Sequence, residues 1–290
     1  MTKLLKGKPV TKAIYNKLSL SVEKLIARGI NPFLQILMAG NDPASEYYAY
    51  SVIKKAAKIG IKAELCKMDK KISECKLAEK LNAFNENPNI HGILLQIPLP
   101  QHISFQRITS AINPDKDVDC LNPINTGKLL LGKEGFIPCT PAAVLELIKF
   151  YNIKTDGANI TILGRSNIVG KPLANLLLQK SEIGNATVTI CHSHTKNLAQ
   201  ITAAADILIV AIGQPLFVKS DMVSEFSLVI DVGINRILDK NKSKSIYVGD
   251  VDFAEVSKKV AAITPVPGGI GSITTASVLS NVIQAAKHLK

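Results

Sequence analysis

Short apolar segments alternate with amphipathic helical segments throughout this chain of 290 residues, and this alternation restricts the fold more than any other feature. In the first half, apolar runs at 33–39, 61–66 and 93–95 are separated by helical patterns that end at Gly60 and Asn85. Parallel strands need a crossover connection, which is usually a helix, so this order predicts βαβ units. The sequence therefore indicates an α/β fold built on parallel sheets.

The alternation restarts in the second half after an irregular segment. Residues 113–140 are rich in Asp, Asn, Pro and Gly and are predicted to lack regular structure. Apolar strands are then predicted at 160–163, 186–191, 207–211 and 228–232, with helices between them. This second series predicts a Rossmann-like, doubly wound parallel sheet.

Composition argues against several classes of protein. No apolar run reaches the ~18 residues that a membrane-spanning helix needs, so no association with a membrane is predicted. The five cysteines are widely spaced and lack a CxxC pair, which argues against a disulfide scaffold and fits a reducing cytoplasm. The formal net charge of +12 fits either attraction of polyanionic ligands or a solvated lysine-rich surface. Because Trp is absent and aromatic residues are few, nucleic acid is not an expected partner.

The strand predicted at 160–163 runs directly into Gly164, Arg165 and Ser166, and a predicted helix follows. A glycine at the end of a buried strand permits a tight turn, and the free N–H groups of the next helix can hold a pyrophosphate. Ser166 replaces the second glycine of the GxGxxG pattern, so the loop alone also fits an ordinary strand–turn–helix connection. We predict a dinucleotide site at this loop.

The end of the next predicted strand indicates which dinucleotide binds. NAD sites usually carry an acidic residue there, which bonds the ribose 2′-hydroxyl. The segment 191–196 has no carboxylate, and it offers Ser193 near the positive charge of Arg165. A positive, hydroxyl-bearing pocket suits a 2′-phosphate, so NADP is predicted in preference to NAD. His192 and His194 lack a third ligand, so no metal site is predicted.

Several separated motifs resemble those of a known family. They lie, in the family's order, at 42–45, 96–100, 114–119, 138–141, 164–166, 231–235, 249–252 and 264–269. Over nearly its whole length, the chain resembles the bifunctional methylenetetrahydrofolate dehydrogenase/methenyltetrahydrofolate cyclohydrolase family. The resemblance implies NADP-dependent oxidation of 5,10-methylenetetrahydrofolate, followed by hydrolysis of the methenyl product to 10-formyltetrahydrofolate. It also implies a homodimer formed mainly through the nucleotide domains.

The resemblance implies two α/β domains with a cleft between them. A domain junction is predicted near Pro141, where a helix follows the irregular segment. The first domain, which binds folate, is then predicted to cover 1–145 and to be completed by the C-terminal helix 272–290. The second domain, which binds NADP, is predicted to cover 146–271.

The matching motifs assign roles to individual residues by resemblance. Tyr48 corresponds to the active-site tyrosine that lies over the folate, and Gln96 to the glutamine that supports the catalytic lysine. Asp119 corresponds to the aspartate that anchors the pterin ring through a charge-assisted contact. Taken alone, these residues fit core packing, a strand-end cap and an Asx-turn. The further expected contacts are Pro267 and Gly268 for folate, and Gly164, Arg165, Ser166, Ser193 and Ile234 for NADP.

The active-site helix departs from the family pattern Ser-x-x-Tyr-Val-x-x-Lys-x-Lys. The distance from Ser45 to Gly60 is preserved, so Val52 occupies the position of the catalytic lysine. Val52 lies one helical turn after Tyr48, where a substrate contact is predicted. Lys55 lies two turns after Tyr48 on the same face. Because helical side chains lean toward the N terminus, its long side chain is a possible substitute for the missing lysine.

Valine can neither transfer a proton nor hold the attacking water, whereas hydride transfer depends mainly on positioning. We therefore predict a dehydrogenase whose cyclohydrolase activity is weak or lost. Cys120 stands where the family usually has glycine, and it would be strained if its φ angle were positive. Ser272 stands where the family usually has proline.

Two alternative functions compete with this prediction. One is a folate- and NADP-binding protein with little catalysis, which the departures from the family pattern permit. The other is a related two-domain dehydrogenase that acts on a different substrate. The motifs around Gln96 and Asp119 argue against the second alternative.

Overall fold

The structure, a computed structural model, describes residues 2–239 and 244–288. These residues form two compact units, which are named here after their sheets. The three-stranded unit consists of residues 13–139 and 275–288, and the six-stranded unit consists of residues 2–12 and 140–274, where described.

The secondary structure follows the predicted alternation of strands and helices. The strands are β1 (Lys3–Leu4), β2 (Phe33–Ala39), β3 (Lys62–Met68), β4 (Gly92–Leu95), β5 (Asn159–Leu163), β6 (Thr187–Cys191), β7 (Ile207–Val210), β8 (Leu228–Asp231), β9 (Asn235–Asp239), β10 (Lys244–Val248) and β11 (Ala262–Ile263). The helices are α1 (Gly7–Ile26), α2 (Pro43–Ala57), α3 (Glu74–Glu86), α4 (Phe105–Ala111), α5 (Pro123–Leu130), α6 (Cys139–Phe150), α7 (Gly170–Leu178), α8 (Leu198–Ala203), α9 (Phe253–Val256) and α10 (Thr274–His288). None of the helices in the described part of the chain is long and apolar enough to cross a bilayer.

The described residues of the three-stranded unit contain a parallel sheet in the order β3-β2-β4. On the central strand β2, Ile36 lies opposite Leu65 of β3 and Leu94 of β4. β2 is buried along its whole length. A central strand of a covered parallel sheet appears in a sequence as a continuous apolar run, which explains why this strand was predicted with its observed bounds.

Asp42 begins α2 as predicted. Its carboxylate accepts a hydrogen bond from the N–H of Ser45 at 2.8 Å, and Pro43 occupies the first helical position. The hydroxyl and the N–H of Ser45 both bond this carboxylate and lower the pKa of Asp42. The cap fixes where α2 starts, and therefore which side chains of this helix face inward.

The segment 113–140 is more regular than predicted. It contains helix α5, which Asn122 caps by accepting a hydrogen bond from the N–H of Ile124 at 2.8 Å. The prediction was wrong here because α5 has only 8 residues and includes Gly127, so its periodicity is too short to recognise. Helix α4 and strands β1, β9, β10 and β11 were also not predicted.

The six-stranded unit, within its described residues, contains a sheet in the order β1-β11-β8-β7-β5-β6, and all its neighbouring strands are parallel. β5 pairs with β6 on one side and with β7 on the other. The chain therefore adds strands first on one side of β5 and then on the other, which makes the sheet doubly wound. Its switch point lies at the carboxyl ends of β5 and β7. The predicted Rossmann-like fold class is confirmed.

The first strand joins the six-stranded sheet. Lys3 lies opposite Ala262 of β11, and Leu4 lies opposite Ile263. The predicted first domain includes residues 1–12, so the structure differs from that prediction at β1. A strand of 2 residues has no detectable period, and only its pairing with a distant strand defines it. The other predicted domain boundaries remain a proposal.

A buried lysine closes the C-terminal end of α3. Lys116 is only 4% exposed, and its Nζ donates to the carbonyl oxygens of Phe84 at 3.2 Å, Asn85 at 2.7 Å and Asn87 at 2.7 Å. The last carbonyl groups of a helix lack partners within the helix and carry the negative end of its dipole. Burial lowers the pKa of Lys116, and the three acceptors offset the cost of burying its charge.

Lys116→Met tests this cap, because methionine keeps the apolar stem but removes the donors. We expect the free energy of unfolding to fall by about 1–3 kcal/mol, since buried carbonyl groups lose their partners. Urea denaturation measures this change. The matched control is Lys76→Met on the exposed face of α3, which should change stability by less than about 0.5 kcal/mol. Equal stabilities of the two variants would contradict the proposed role of Lys116.

Candidate active site

A pocket of about 420 Å³ lies at the carboxyl ends of β2 and β4 in the three-stranded unit. It brings together Tyr48 from α2, Gln96 from the end of β4 and Asp119 from a turn that follows α4. These are the residues that the sequence resemblance associates with folate. The full lining consists of Asp42, Ala44, Ser45, Tyr48, Leu94, Leu95, Gln96, Ile97, Pro98 and Asp119.

Hydrogen bonds hold the loop that carries Gln96. The N–H of Gln96 donates to the carbonyl oxygen of Leu37 at 2.8 Å, which extends the pairing of β4 with β2 by one residue. Ser45 Oγ lies 3.0 Å from the carbonyl oxygen of Ile97, so the start of α2 is in contact with the same loop. Gln96 itself is 6% exposed. The sheet therefore fixes the backbone at Gln96, whose buried side chain lines the pocket.

The turn that presents Asp119 is organised by a neighbouring carboxylate. Asp117 is 1% exposed and accepts hydrogen bonds from the N–H of Leu121 at 3.1 Å, the N–H of Asn122 at 2.8 Å and Nδ2 of Asn125 at 3.1 Å. Burial raises the pKa of Asp117, and these donors oppose that rise. Asp117 therefore closes the turn on its inner side, while Asp119 reaches the pocket.

The carboxyl group of Asp119 is surrounded by protein atoms but accepts few hydrogen bonds from them. Its Oδ1 accepts a hydrogen bond from the N–H of Cys139 at 3.3 Å. Burial raises the pKa of Asp119 to about 6, although its hydrogen bonds with Cys139 favour ionisation. Near neutral pH the group is therefore mostly a carboxylate with unused acceptor capacity. Such a group can bind a ligand that presents two N–H donors side by side.

The predicted position of the catalytic lysine lies inside the three-stranded unit. Val52 is 0% exposed and shares the buried face of α2 with Ser45, Ala49 and Ala56. Val52 is not among the residues that line the pocket. The structure therefore gives this side chain a packing role, and it offers no polar group at this position of the helix.

Lys55, the possible substitute, is half-buried and bonded elsewhere. Its Nζ donates to Oγ1 of Thr275, at the start of α10, at 3.2 Å. Burial and the nearby charge of Lys58 lower the pKa of Lys55. Lys55 does not line the pocket, so the structure does not bring it together with Tyr48 and Asp119.

Pro267 and Gly268, the other two predicted folate contacts, belong to the six-stranded unit. Both are exposed in the loop that follows β11. Gly268 has a φ angle of +107°, and its carbonyl oxygen accepts a hydrogen bond from the N–H of Gly7 at 2.8 Å. The first turn of α1 therefore holds this loop in place.

A second pocket, of about 490 Å³, lies at the switch point of the six-stranded sheet. Its walls come from the segments that follow β5, β6 and β7. The full lining consists of Leu163, Gly164, Arg165, Ser166, His192, Ser193, Thr195, Leu198, Ala211, Ile212, Gln214 and Phe217. The crevice outside the carboxyl ends of the strands at a switch point is where doubly wound sheets bind their ligands.

Two glycines allow the close packing of this loop. Gly164 has a φ angle of +130°, and a side chain there would collide with the carbonyl group of Ala211. A side chain at Gly170, the first residue of α7, would collide with the carbonyl group of Gly164. Ser166 Oγ accepts a hydrogen bond from the N–H of Val169 at 3.1 Å. The loop can therefore bring backbone N–H groups close to a phosphate.

The polar groups of this second pocket suit an anionic ligand. Arg165 contributes a positive charge, and Ser193 and Thr195 contribute hydroxyl groups. No Asp or Glu lines the described pocket. Ile234, which was predicted to contact the cofactor, is 57% exposed after β8 and is not part of this lining. No cluster of three or more metal-binding side chains occurs within residues 2–239 and 244–288.

The segment after β7 was missed by the sequence analysis. Ala211, Ile212, Gln214 and Phe217 line the pocket, yet they form no recognised nucleotide motif. The available signal was topological, because in a doubly wound sheet the strand next to β5 must end at the same crevice. That signal needs the strand order, which the apolar runs alone do not provide.

The doubly wound sheet, the glycine loop and the crevice define a Rossmann-like nucleotide-binding unit. Residues 138–290 match a family model described as "Tetrahydrofolate dehydrogenase/cyclohydrolase, NAD(P)-binding domain". Residues 5–119 match a model described as "Tetrahydrofolate dehydrogenase/cyclohydrolase, catalytic domain". The chain belongs to the tetrahydrofolate dehydrogenase/cyclohydrolase family, which confirms the resemblance drawn from its motifs.

Individual relatives agree with this assignment. The chain is 46% identical to a bifunctional protein FolD of Chlamydia felis over 279 residues, which cover 96% of each chain. A crystal structure of the bifunctional enzyme FolD from Campylobacter jejuni is 43% identical and superimposes with a TM-score of 0.92, covering 99% of each chain. The Trypanosoma brucei FolD structure, which contains NADP and an inhibitor, is 35% identical with a TM-score of 0.92, covering 99% of this chain and 97% of that one.

Cys120 has the positive φ angle that was expected to strain the backbone at this position. Its φ angle is +58°, and its side chain is 4% exposed in a cluster with Phe136 and Ala285. Left-handed backbone favours glycine, because a β-carbon crowds the following carbonyl oxygen. The strain lies in the turn that presents Asp119.

A comparison of Cys120→Gly with Cys120→Ala isolates this strain, because both variants lose the sulfur but only alanine keeps the β-carbon. We expect the glycine variant to be more stable than the alanine variant by about 1 kcal/mol, measured by urea denaturation. In a helix interior, where φ is negative, the order of stability is reversed, and alanine is favoured over glycine by about 1 kcal/mol. A more stable alanine variant would show that the turn relaxes without cost.

Proposed function

We propose that this protein catalyses NADP-dependent oxidation of 5,10-methylenetetrahydrofolate to 5,10-methenyltetrahydrofolate. The observation that carries the proposal is the pocket in which Tyr48, Gln96 and Asp119 meet. Family membership supports this reaction, and the anion-suited crevice of the six-stranded unit supports the cofactor.

In this proposal the folate pocket orients the substrate. The Asp119 carboxylate accepts hydrogen bonds from two adjacent N–H groups of the pterin ring, and these bonds fix the orientation of the ring. The aromatic ring of Tyr48 covers the face of the folate, and the amide of Gln96 bonds its polar edge. The proposal that Pro267 and Gly268 also contact folate rests on the family resemblance alone. Val52, which is buried on the inner face of α2 and does not line the pocket, adds no polar group to these contacts.

The crevice at the switch point holds NADP in this proposal. NADP, when bound, supplies the acceptor for a hydride. Gly164 and the start of α7 present backbone N–H groups to the pyrophosphate. Arg165 and Ser193 bind the 2′-phosphate, and the lack of a carboxylate in the described lining removes the group that would select the 2′-hydroxyl of NAD. Ser166 lines the same crevice, whereas the proposed contact of Ile234 with NADP rests on the family resemblance alone.

The second activity of the family is proposed to be weak or lost in this protein. Hydrolysis of the methenyl group needs a side chain that moves protons and holds the attacking water. Val52 cannot do either, and the ammonium group of Lys55 is bonded to Thr275. Oxidation requires only that the two reactants are held face to face, so it does not depend on this lysine.

The first experiment compares both reactions in purified protein. We expect oxidation of 5,10-methylenetetrahydrofolate with a kcat/KM at least tenfold higher with NADP than with NAD. Hydrolysis of 5,10-methenyltetrahydrofolate should remain close to the rate in buffer. A clear preference for NAD would contradict the cofactor assignment, and fast hydrolysis would contradict the role given to Val52. Oxidation by neither cofactor would contradict the proposed reaction.

Val52→Lys tests the missing lysine directly. General acid–base catalysis typically contributes a factor of about 10²–10⁴, so we expect hydrolysis to rise by at least about 10²-fold. The matched control is Val52→Met, which has similar length without the charge and should give no gain. Thermal unfolding verifies that both variants fold. A folded lysine variant without faster hydrolysis would contradict this explanation.

Lys55→Met completes the comparison. If Lys55 acts as the substitute, its loss should abolish any hydrolysis that the wild-type protein shows, while oxidation should persist. If hydrolysis is absent from the start, the variant should behave as the wild type does.

A folate- and NADP-binding protein with little catalysis is the second candidate, because Val52, Cys120 and Ser272 all depart from the family pattern. Tight binding of both ligands without oxidation would favour it. We also propose a homodimer and a cytoplasmic location, which rest on the family resemblance and on the cysteine pattern. Analytical ultracentrifugation and fractionation of cells test these two proposals.

A further inference from the structure

Two carboxyl groups are buried in the six-stranded unit, and among the described residues neither has a cationic partner. Asp231 ends β8 and is 2% exposed, and Asp250 follows β10 and is 0% exposed. No salt bridge between described residues involves either of them. A buried charge without a counter-ion needs several hydrogen-bond donors, so the donors around these groups indicate what the groups are for.

Asp231 holds the segment that carries Asp250. Its Oδ1 accepts hydrogen bonds from the N–H of Gly233 at 2.9 Å and the N–H of Asp250 at 3.1 Å. Its Oδ2 accepts from the N–H of Val251 at 2.9 Å. The end of β8 is therefore bonded to the start of the segment after β10.

Asp250 in turn holds the segment that follows β7. Its Oδ2 accepts hydrogen bonds from the N–H of Ile212 at 2.7 Å and the N–H of Gly213 at 2.9 Å. Its Oδ1 accepts from Nδ2 of Asn235 at 2.8 Å. One carboxylate therefore connects the segments after β7 and β8.

Backbone hydrogen bonds extend this connection. Leu216 has a φ angle of +55°, a conformation that a leucine adopts only when its surroundings enforce it. Its N–H donates to the carbonyl oxygen of Gly249 at 3.0 Å, and the N–H of Val218 donates to the carbonyl oxygen of Asp250 at 3.0 Å. The whole segment 212–218 therefore lies against 249–251, in a shape it would not adopt by itself.

This held segment forms one wall of the proposed NADP crevice. Ala211, Ile212, Gln214 and Phe217 line that crevice, whereas neither aspartate does. We infer that Asp250 is a positioning residue for the nucleotide, acting through the N–H groups of Ile212 and Gly213. Asp231 supports it by fixing the segment on which it sits. This inference rests on the proposed binding of NADP.

Two substitutions of Asp250 separate the loss of its charge from the loss of its hydrogen-bond acceptors. In Asp250→Asn the amide oxygen can still accept from both N–H groups of the held segment. Its NH2 group would then face Asn235, whose own amide can turn to present its oxygen. In Asp250→Ala both N–H groups lose their acceptor, so the crevice wall loses its support.

The experiment measures binding of NADP and of tetrahydrofolate to the full chain by isothermal titration calorimetry. For Asp250→Ala we expect the Kd for NADP to rise at least tenfold, while the Kd for tetrahydrofolate stays within twofold. For Asp250→Asn we expect a rise of less than threefold in the Kd for NADP. Hydrogen exchange of a peptide that contains 211–217 should accelerate in the alanine variant and much less in the asparagine variant.

Asp206→Ala is the matched control. Asp206 is an exposed aspartate of the same unit, and it accepts a hydrogen bond from the N–H of Asn159 at 2.8 Å without lining the crevice. Its loss should lower the melting temperature but leave the Kd for NADP within twofold. If Asp250→Ala does not fold, Asp231→Asn takes its place. It keeps a single acceptor oxygen for three donors and should raise the Kd for NADP at least threefold.

The outcomes distinguish this inference from the function on which it rests. Wild-type protein that does not bind NADP would overturn the proposed function. Wild-type binding together with an unchanged Kd in folded Asp250→Ala, or in Asp231→Asn where the alanine variant is unfolded, would overturn the inference alone. Equal weakening of both ligands would show a general structural role and would also overturn it.

Discussion

Parallel hydrogen bonding on both sides of β5 determines where the nucleotide crevice of this protein lies. β5 pairs with β6 on one side and with β7 on the other, so the carboxyl ends of these strands open toward one crevice. The close approach of Gly164 to the carbonyl group of Ala211 then brings the glycine loop and the segment after β7 together. The lining of the crevice follows from the strand order, and its chemistry follows from the loops that the order brings there.

Buried ionisable side chains that bond the backbone fix the loops and chain ends of both units. Asp117, Asp231 and Asp250 each accept hydrogen bonds from backbone N–H groups, and Lys116 donates to three carbonyl groups. A buried polar group that bonds backbone atoms fixes the path of the chain more directly than a salt bridge between long side chains would. In each case the fixed segment presents or supports a pocket wall or a helix end.

The predictable part of the structure is the part that local pattern encodes. β2 was predicted with its observed bounds because seven consecutive buried residues leave no ambiguity, and the start of α2 because Asp42 caps it. The place of Val52 in the active-site helix follows from the spacing between Ser45 and Gly60. Helix α5 was missed because it is short. The role of Asp250 was missed because Ile212 and Gly213, which donate their N–H groups to it, lie 38 and 37 residues before it and meet it only in the folded unit.

The path of the chain through the two units has a consequence for its synthesis. The six-stranded sheet takes β1 from the beginning of the chain and pairs it with β11, while the three-stranded unit includes α10, whose Asn281 donates to the carbonyl oxygen of Val118. A ribosome releases residues in order, and a unit can complete its core only when all its segments have emerged. The early segments of both units therefore meet their last partners only after β11 and α10 have been synthesised.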